Sequence, residues 1–373
     1  MKLTTIAVIL GITASTILQA QDSTGMKTKT FQAGFVTPLG TNGLNSWNVT
    51  NKFSVNLLAG YAGGIHGVEF SGLGSVLKEN MTGAQFSGLG NIVLNKTRGV
   101  QFSGLFNIGL DSVKAAQFAG LVNMGLENVK AAQFAGLANI ATGQVKGFQV
   151  AGMANVATGQ VKGLQIAGFL NVSGGHFSGT QISGFMNYSD KLKGSQIGVI
   201  NFVDSLEHGV AVGFLSFVKN GYTAFEVGVS ETLYGVMSFK TGTKKFYNIL
   251  SVGGGSHDGL SLFAWGYGLG AYIPLSKKLG LSVDGICYQV NEGEWFTKRL
   301  NLLNKLNLAA SWQVAPHLSV FGGLSWNVTV SDITDEYGDK VIPHIAPWPV
   351  FDETYDDHLN VKMYPGITAG IRI

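Results

Sequence analysis

The chain has 373 residues, of which 13% are charged and 45% are hydrophobic, with 53 glycines and a formal net charge of +3. A soluble domain usually carries about a quarter charged residues, so this composition indicates a protein with an apolar environment. The small net charge, without a basic cluster interleaved with aromatics, argues against nucleic acid as a partner.

The first 20 residues have the pattern of a secretory signal peptide. Met1 and Lys2 form a short positive region, residues 6–18 are mostly apolar, and Ala20 is the small residue before the expected cut. The apolar stretch is shorter than the roughly 20 residues of a membrane-spanning helix. We expect residues 1–20 to be removed on export and residues 21–373 to form the mature protein. Cys287 is the only cysteine, so no internal disulfide is expected.

Residues 67–204 form an internal repeat with a spacing of 16 residues. The units are marked by Glu69, Gln85, Gln101, Gln117, Gln133, Gln149, Gln165 and Gln181, with Gln196 one residue early. Within a unit, polar and apolar residues alternate with the period of two that indicates a β-strand. The clearest copy is QFSGLFNI at residues 101–108, where Gln101 and Asn107 share the polar face.

Two all-β architectures fit this repeat. In the first, each unit is one strand of an antiparallel transmembrane β-barrel plus a tight turn, with its apolar face in lipid. In the second, each unit is one coil of a parallel β-solenoid, with stacked Gln and Asn ladders, and a smaller barrel follows. We favour the first, because the same composition continues into the C-terminal segment without a linker.

The C-terminal segment, residues 246–373, carries the predicted barrel strands. They lie at residues 246–252, 260–273, 279–290, 300–314, 317–330 and 362–373. The connections at 274–278 and 315–316 are short, whereas those at 253–259, 291–299 and 331–361 are longer. Outer-membrane barrels have short periplasmic turns and long outer loops, so this alternation is typical of them.

Alternation of the two strand faces favours the same architecture. In the strand at 300–314, Leu306, Leu308 and Trp312 lie on one face, and Lys305 and Asn307 lie on the other. A soluble β-sandwich also alternates, but its outer faces are more charged than these. The segment is therefore predicted to be a wall between lipid and a polar interior.

Two motifs resemble known bacterial proteins. The units VQFSGL at 100–105 and LQIAGF at 164–169 resemble the short surface repeats of certain bacterial surface proteins. The ending YPGITAGIRI at 364–373 is similar to the last strand of Bacteroidetes-type outer-membrane proteins, although it ends in Ile373 rather than in an aromatic residue. The resemblance implies an outer-membrane location, with membrane lipid and the barrel-assembly machinery as partners. It implies no catalytic residue.

Neither an enzyme nor a cofactor is expected. Ser256, His257 and Asp258 are consecutive, and consecutive strand residues point to opposite faces, which does not suit a catalytic triad. The acidic loop at 331–361 lacks the ordered ligand spacing of a calcium site. We therefore predict no catalytic, cofactor-binding or metal residues.

The function that follows from the favoured architecture is a passive pore. With the repeats in the wall, about 16 to 18 strands would enclose an aqueous lumen for small solutes. The predicted lumen-lining residues are Asp284, Lys305, Arg372, Gln101 and Asn107. If the repeats instead form a solenoid, the alternative is a surface-exposed repeat protein with a structural or interaction role.

Overall fold

The computed structural model describes residues 25–257, 259–293, 295–333, 345–355 and 359–373. The predicted signal peptide, residues 1–20, lies outside the described residues. Apart from one 3-10 helix, Gly43–Asn48, the regular structure in the described part is β-strand, which confirms the all-β class. No helix in this part is long and apolar enough to cross a membrane.

The N-terminal part is a parallel β-solenoid. Its strands are β1 Lys27–Val36, β2 Leu39–Gly40, β3 Val49–Ala62, β4 Gly64–Ser71, β5 Gly74–Leu77, β6 Met81–Ser87, β7 Gly90–Val93, β8 Thr97–Ser103, β9 Phe106–Gly109, β10 Val113–Ala119, β11 Val122–Gly125, β12 Val129–Ala135, β13 Ala138–Ala141, β14 Val145–Ala151, β15 Ala154–Ala157, β16 Val161–Ala167, β17 Leu170–Ser183, β18 Met186–Ile197, β19 Ile200–Val212 and β20 Leu215–Val218. A typical coil has one seven-residue and one four-residue strand, such as β8 and β9. Each strand pairs in parallel with its equivalent in the next coil.

The prediction that the repeats are antiparallel wall strands is wrong. Gln85 lies opposite Gln101 and Gln101 lies opposite Gln117, so each unit pairs in parallel and in register with the next. A barrel made of hairpins would pair neighbouring units antiparallel. Parallel stacking is favoured because it places identical amide side chains one strand spacing apart, about 4.8 Å, where they can hydrogen-bond to each other.

The corner between the two strands of a coil requires glycine. A Cβ atom at Gly104 would overlap the carbonyl oxygen of Gly88 in the preceding coil, and the same overlap recurs at Gly120. The backbones of neighbouring coils approach too closely there for any side chain. The glycine of the SGL motif is therefore a packing requirement of the stack.

The C-terminal part is an antiparallel sheet. Its strands are β21 Tyr222–Ser230, β22 Gly235–Thr243, β23 Phe246–His257, β24 Leu260–Pro274, β25 Leu279–Glu292, β26 Asn301–Ala315, β27 Leu318–Ser331, β28 Phe351–Tyr355 and β29 Leu359–Arg372. Neighbours in the chain pair from β21 to β27, β29 pairs with β27, and β21 pairs with β29. The sheet thus closes on itself, with β28 outside the ring, and we call this closed sheet the barrel. Among the described residues, eight strands form its wall.

The six strands predicted from sequence within residues 246–373 are present in this sheet, with ends that differ by a few residues. The barrel also includes β21 and β22, which precede the predicted segment. The solenoid coils extend beyond the predicted repeat at both ends, from Lys27 to Val218. Only three residues, 219–221, separate the last coil from the barrel.

The last coil of the solenoid packs against the outer wall of the barrel. The rings of Phe214 and Tyr267 stack with their centroids 4.4 Å apart. Three outward barrel side chains donate hydrogen bonds to free carbonyls of the last coil: Tyr267 to Phe214 at 3.0 Å, Asn248 to Gly213 at 2.6 Å and Thr241 to Ser216 at 3.0 Å. The barrel thereby covers the edge that a parallel stack leaves unpaired.

We predict that Gly104→Ala destabilises the solenoid. The added methyl must displace the backbone of the neighbouring coil, and such overpacking costs about 1–3 kcal/mol. The control is Gly74→Ala, whose Cβ would lie at an ordinary 3.4 Å from the Gly90 carbonyl oxygen. Thermal unfolding followed by circular dichroism measures both. Equal melting temperatures for the two variants would contradict the close approach at the corner.

Candidate functional site

The barrel interior holds paired charges beside a cluster of buried tyrosine and aliphatic side chains. Lys240 contacts Asp284 at 2.7 Å and Glu226 at 2.9 Å, and the Arg372 guanidinium contacts the same Glu226 carboxylate at 2.5 Å. The Tyr247 hydroxyl donates to Asp284 at 2.5 Å. All five side chains are buried. The group is held together because each buried charge has an opposite charge within contact distance.

A second charge pair lies further along the lumen. Lys305 contacts Glu231 at 2.6 Å, and both side chains are buried. Asn327 and the backbone NH of Ile367 donate to the same carboxylate, each at 2.9 Å. With the first group, the interior pairs three cations with three anions, so these six charges balance.

The pore prediction is wrong. Between Asp284, Lys305 and Arg372 the structure leaves a cavity of about 40 Å³, which has room for a few water molecules at most. The wall has eight strands among the described residues, and a barrel of that size is filled by its own side chains. The repeats do not enlarge it, because they form the solenoid.

The five predicted lumen-lining residues fall into two places. Asp284, Lys305 and Arg372 point into the barrel, where they form the ion pairs. Gln101 and Asn107 lie inside the solenoid, fully buried, and the prediction that they line a lumen is wrong. Their common position in each unit serves coil stacking instead. Sequence reasoning missed the partners Lys240, Glu226 and Glu231. The isolated Lys240 in the apolar segment VMSFKTGT was the one available signal.

The interior of the solenoid contains two amide ladders. In the first, each Gln Nε2 donates to the Gln Oε1 of the preceding coil, as from Gln101 to Gln85 at 2.8 Å. In the second, each Asn Nδ2 donates to the Asn Oδ1 of the following coil, as from Asn107 to Asn123 at 3.0 Å. The ladders therefore run in opposite directions. Each Asn Nδ2 also donates a second hydrogen bond, to a backbone carbonyl oxygen. For Asn107 this acceptor is the carbonyl of Phe118, at 2.9 Å.

The Gln ladder begins at a buried carboxylate. Glu69 accepts from Gln85 at 3.0 Å, Ser75 at 2.6 Å and Asn56 at 3.1 Å. It is fully buried, and this burial raises its pKa from the ordinary value of 4.5, although these hydrogen bonds oppose the shift. A carboxylate serves as the terminal acceptor of the ladder, but its charged form is costly in this dry interior.

The outer surface of the solenoid is largely apolar. Phe70, Phe86, Phe102, Phe118 and Phe134 form a stacked row on successive coils, with neighbouring ring centroids 4.7–5.2 Å apart. This row and the corner glycines line an open groove of about 920 Å³. Beside it, the residue after each corner glycine forms a second exposed row: Leu73, Leu89, Leu105, Leu121, Leu137, Met153, Phe169, Phe185, Val199 and Phe214. We call the two rows together the apolar corner.

The other end of the same strands, four residues before the Phe row, is basic. Exposed basic residues occupy one position of consecutive coils: Arg98, Lys114, Lys130, Lys146 and Lys162. Among the described residues none of these five forms an ion pair with a carboxylate. We call them the basic row. The solenoid is therefore amphipathic across its section, with amides inside, the apolar corner at one end of these strands and the basic row towards the other.

No family model, no curated protein and no solved structure matches the chain. Within the described part, no group of three His, Cys, Asp or Glu side chains is arranged to hold a metal ion. Ser256 lies exposed near the end of β23, while the side chain of His257 and all of Asp258 fall outside the described residues, as does part of the acidic loop.

We predict that Lys305→Met destabilises the barrel by about 3–5 kcal/mol, because it leaves Glu231 buried without its cation. The double variant Lys305→Met with Glu231→Gln should recover much of this loss, since it removes the orphaned charge. The exposed rim change Lys244→Met is the control, with an expected effect within about 0.5 kcal/mol. Urea unfolding measures all three. A single variant as stable as the double variant would contradict the pairing.

We predict that Glu69→Gln stabilises the solenoid at neutral pH. Because burial raises the folded-state pKa, the contribution of Glu69 to stability is fully present below its ordinary pKa of 4.5 and is lost as the pH rises through the raised value. The variant, which places Gln where other units have it, should lose this dependence. Melting temperatures between pH 4 and 8 test it, with the half-exposed Glu79→Gln as control. A wild type and a variant that differ equally at every pH would refute it.

Proposed function

We propose that this protein is a non-enzymatic outer-membrane repeat protein, in which a filled barrel anchors the solenoid to the membrane and the solenoid has a structural or interaction role. The observation that carries the proposal is the inverted polarity of the barrel. Trp265, Leu308, Leu324 and Ile367 are exposed on its outer face, while the ion-paired side chains are buried in its interior, next to an apolar cluster. A water-soluble sheet buries large apolar residues such as these and exposes charged ones.

The dimensions of the wall support the proposal. Strands β24 to β27 have 14 or 15 residues each, and a tilted strand needs about 9–11 to cross the hydrocarbon core. The filled lumen makes the barrel an anchor. Outer-membrane lipid and the barrel-assembly machinery are its proposed partners, in agreement with the expected signal peptide and with the resemblance of the last strand.

The position of the solenoid gives the proposal an orientation. The last coil leads through residues 219–221 into β21, at the end of the barrel where the short turns lie. Short turns face the periplasm in outer-membrane barrels. The solenoid is therefore proposed to lie at the periplasmic surface of the membrane, where its outer rows are available for contacts.

A pair of arginine substitutions tests whether the outer wall faces lipid. Leu308 lies in the middle of β26 and Leu279 begins β25 at the short-turn rim, and their exposed fractions, 50% and 48%, are nearly equal. In a bilayer, Leu308→Arg should cost about 2–4 kcal/mol and Leu279→Arg about 0–1 kcal/mol. The measurement is urea unfolding of protein refolded into phospholipid vesicles. In water the two sites are equivalent, so equal costs would contradict a membrane-spanning wall.

A further inference from the structure

The apolar corner of the solenoid meets the barrel wall at mid-height. Phe214, the last residue of the second row, stacks on Tyr267, which lies about seven residues before the rim residue Pro274. That is about 23 Å along the strand, and about 17 Å along the barrel axis at a strand tilt near 40°. This height is about half of the roughly 30 Å hydrocarbon core. The corner is thus continuous with the apolar outer face of the barrel.

The polar side of the same coil meets the barrel at the short-turn rim. Lys219 and Asn220 are exposed on the last coil and precede Tyr222, where the wall begins. The rim itself is basic, with Lys244, Lys245, Lys277 and Lys278 exposed in two of the short turns. The coil therefore spans one leaflet in height, from the level of the rim to the mid-plane.

The positive charges of the basic row favour an anionic partner. The five residues of the row lie on consecutive coils about 4.8 Å apart, and among the described residues none of the five forms an ion pair with a carboxylate. Like charges at this spacing repel one another, so the row favours an anionic partner that extends along the whole stack. A second protein would have to present a matching row of acids, whereas the headgroup layer of an anionic leaflet supplies continuous negative charge.

We propose that the solenoid lies half-embedded in the leaflet next to the short-turn rim, with the apolar corner in the acyl chains and the basic row at anionic phospholipid headgroups. The groove of about 920 Å³ beside the Phe row then holds acyl chains. Within the stack the backbone groups of each coil pair with those of the next, which suits a position in lipid. This inference rests on the proposed function, since it requires the barrel to be in the membrane.

The experiment uses single cysteines in the full-length protein with Cys287→Ser. Leu105→Cys reports on the apolar corner, Gln160→Cys on the polar side and Leu308→Cys on the barrel wall. Each variant is refolded into vesicles of phosphatidylglycerol and phosphatidylcholine, and its reaction rate with a charged thiol reagent is measured against detergent-free unfolded protein. The expected result is a slowing of about tenfold or more at Leu105 and Leu308, because the leaflet excludes charge, and little change at Gln160.

The outcomes separate the two proposals. Protection at Leu308 with free reaction at Leu105 would overturn the embedding and leave the anchor intact, whereas free reaction at both would overturn the anchor itself. Protection at Leu105 must also come with quenching of a fluorophore there by quencher-labelled lipid. Protection without quenching, together with cross-linking between copies, would replace the bilayer by a second copy as the occupant.

The headgroup contact has its own readout. In vesicles of phosphatidylcholine alone, the rate at Leu105 should be about fivefold or more higher than with phosphatidylglycerol, because each basic side chain gains from the anionic surface. Replacing Lys114, Lys130, Lys146 and Lys162 by Gln should abolish this difference between lipids. A wild type that reacts equally in both vesicles would overturn the role of the basic row.

Discussion

Amide hydrogen bonds between successive coils hold the solenoid together in register. Gln101 and Asn107 are fully buried, and each bonds to its own kind one coil away. A buried amide without a partner costs about 1–3 kcal/mol, so the ladders fix parallel, in-register stacking. The ladders share the interior of the solenoid with aliphatic side chains such as Val113, Val129 and Val145, whereas the Phe and Leu side chains of the apolar corner lie outside.

The barrel follows the same inverted plan by different means. Its interior holds Lys240, Arg372 and Lys305 against three carboxylates, and the wall presents tryptophan and leucine outward. The charges are worth little as stabilisation against a well-packed apolar interior, but breaking one pair is costly. The charged side chains therefore form a balanced set, and the interior side chains fill the space that a channel would need. Both parts of the chain suit an apolar solvent.

The sequence was informative wherever a pattern is local. The faces of β26 followed from the alternation of Lys305 and Leu306, and the short turn at 274–278 followed from composition. The longer connection predicted at 253–259 was wrong, because residues 253–257 belong to β23. The 16-residue period revealed the repeating unit, but it did not show whether neighbouring units pair parallel or antiparallel. Alternation with a period of two is the same in both kinds of strand. The contact of Glu226 with Arg372 was not predictable, since it joins the first and last wall strands, 146 residues apart. The strand that carries Glu226, β21, was not predicted from the sequence, because it is short and contains a charged residue.

The repeats stack beside the barrel and take no part in its wall. Deletion of residues 101–148, which removes three whole units of the 16-residue spacing, tests this most directly. Gln85 would then meet Gln149 in the same register, so the ladder would reclose. We predict a shorter solenoid and a barrel whose unfolding midpoint, measured by urea titration in vesicles, is unchanged. A barrel that no longer folds after this deletion would contradict the account, because only wall strands are needed to close the sheet.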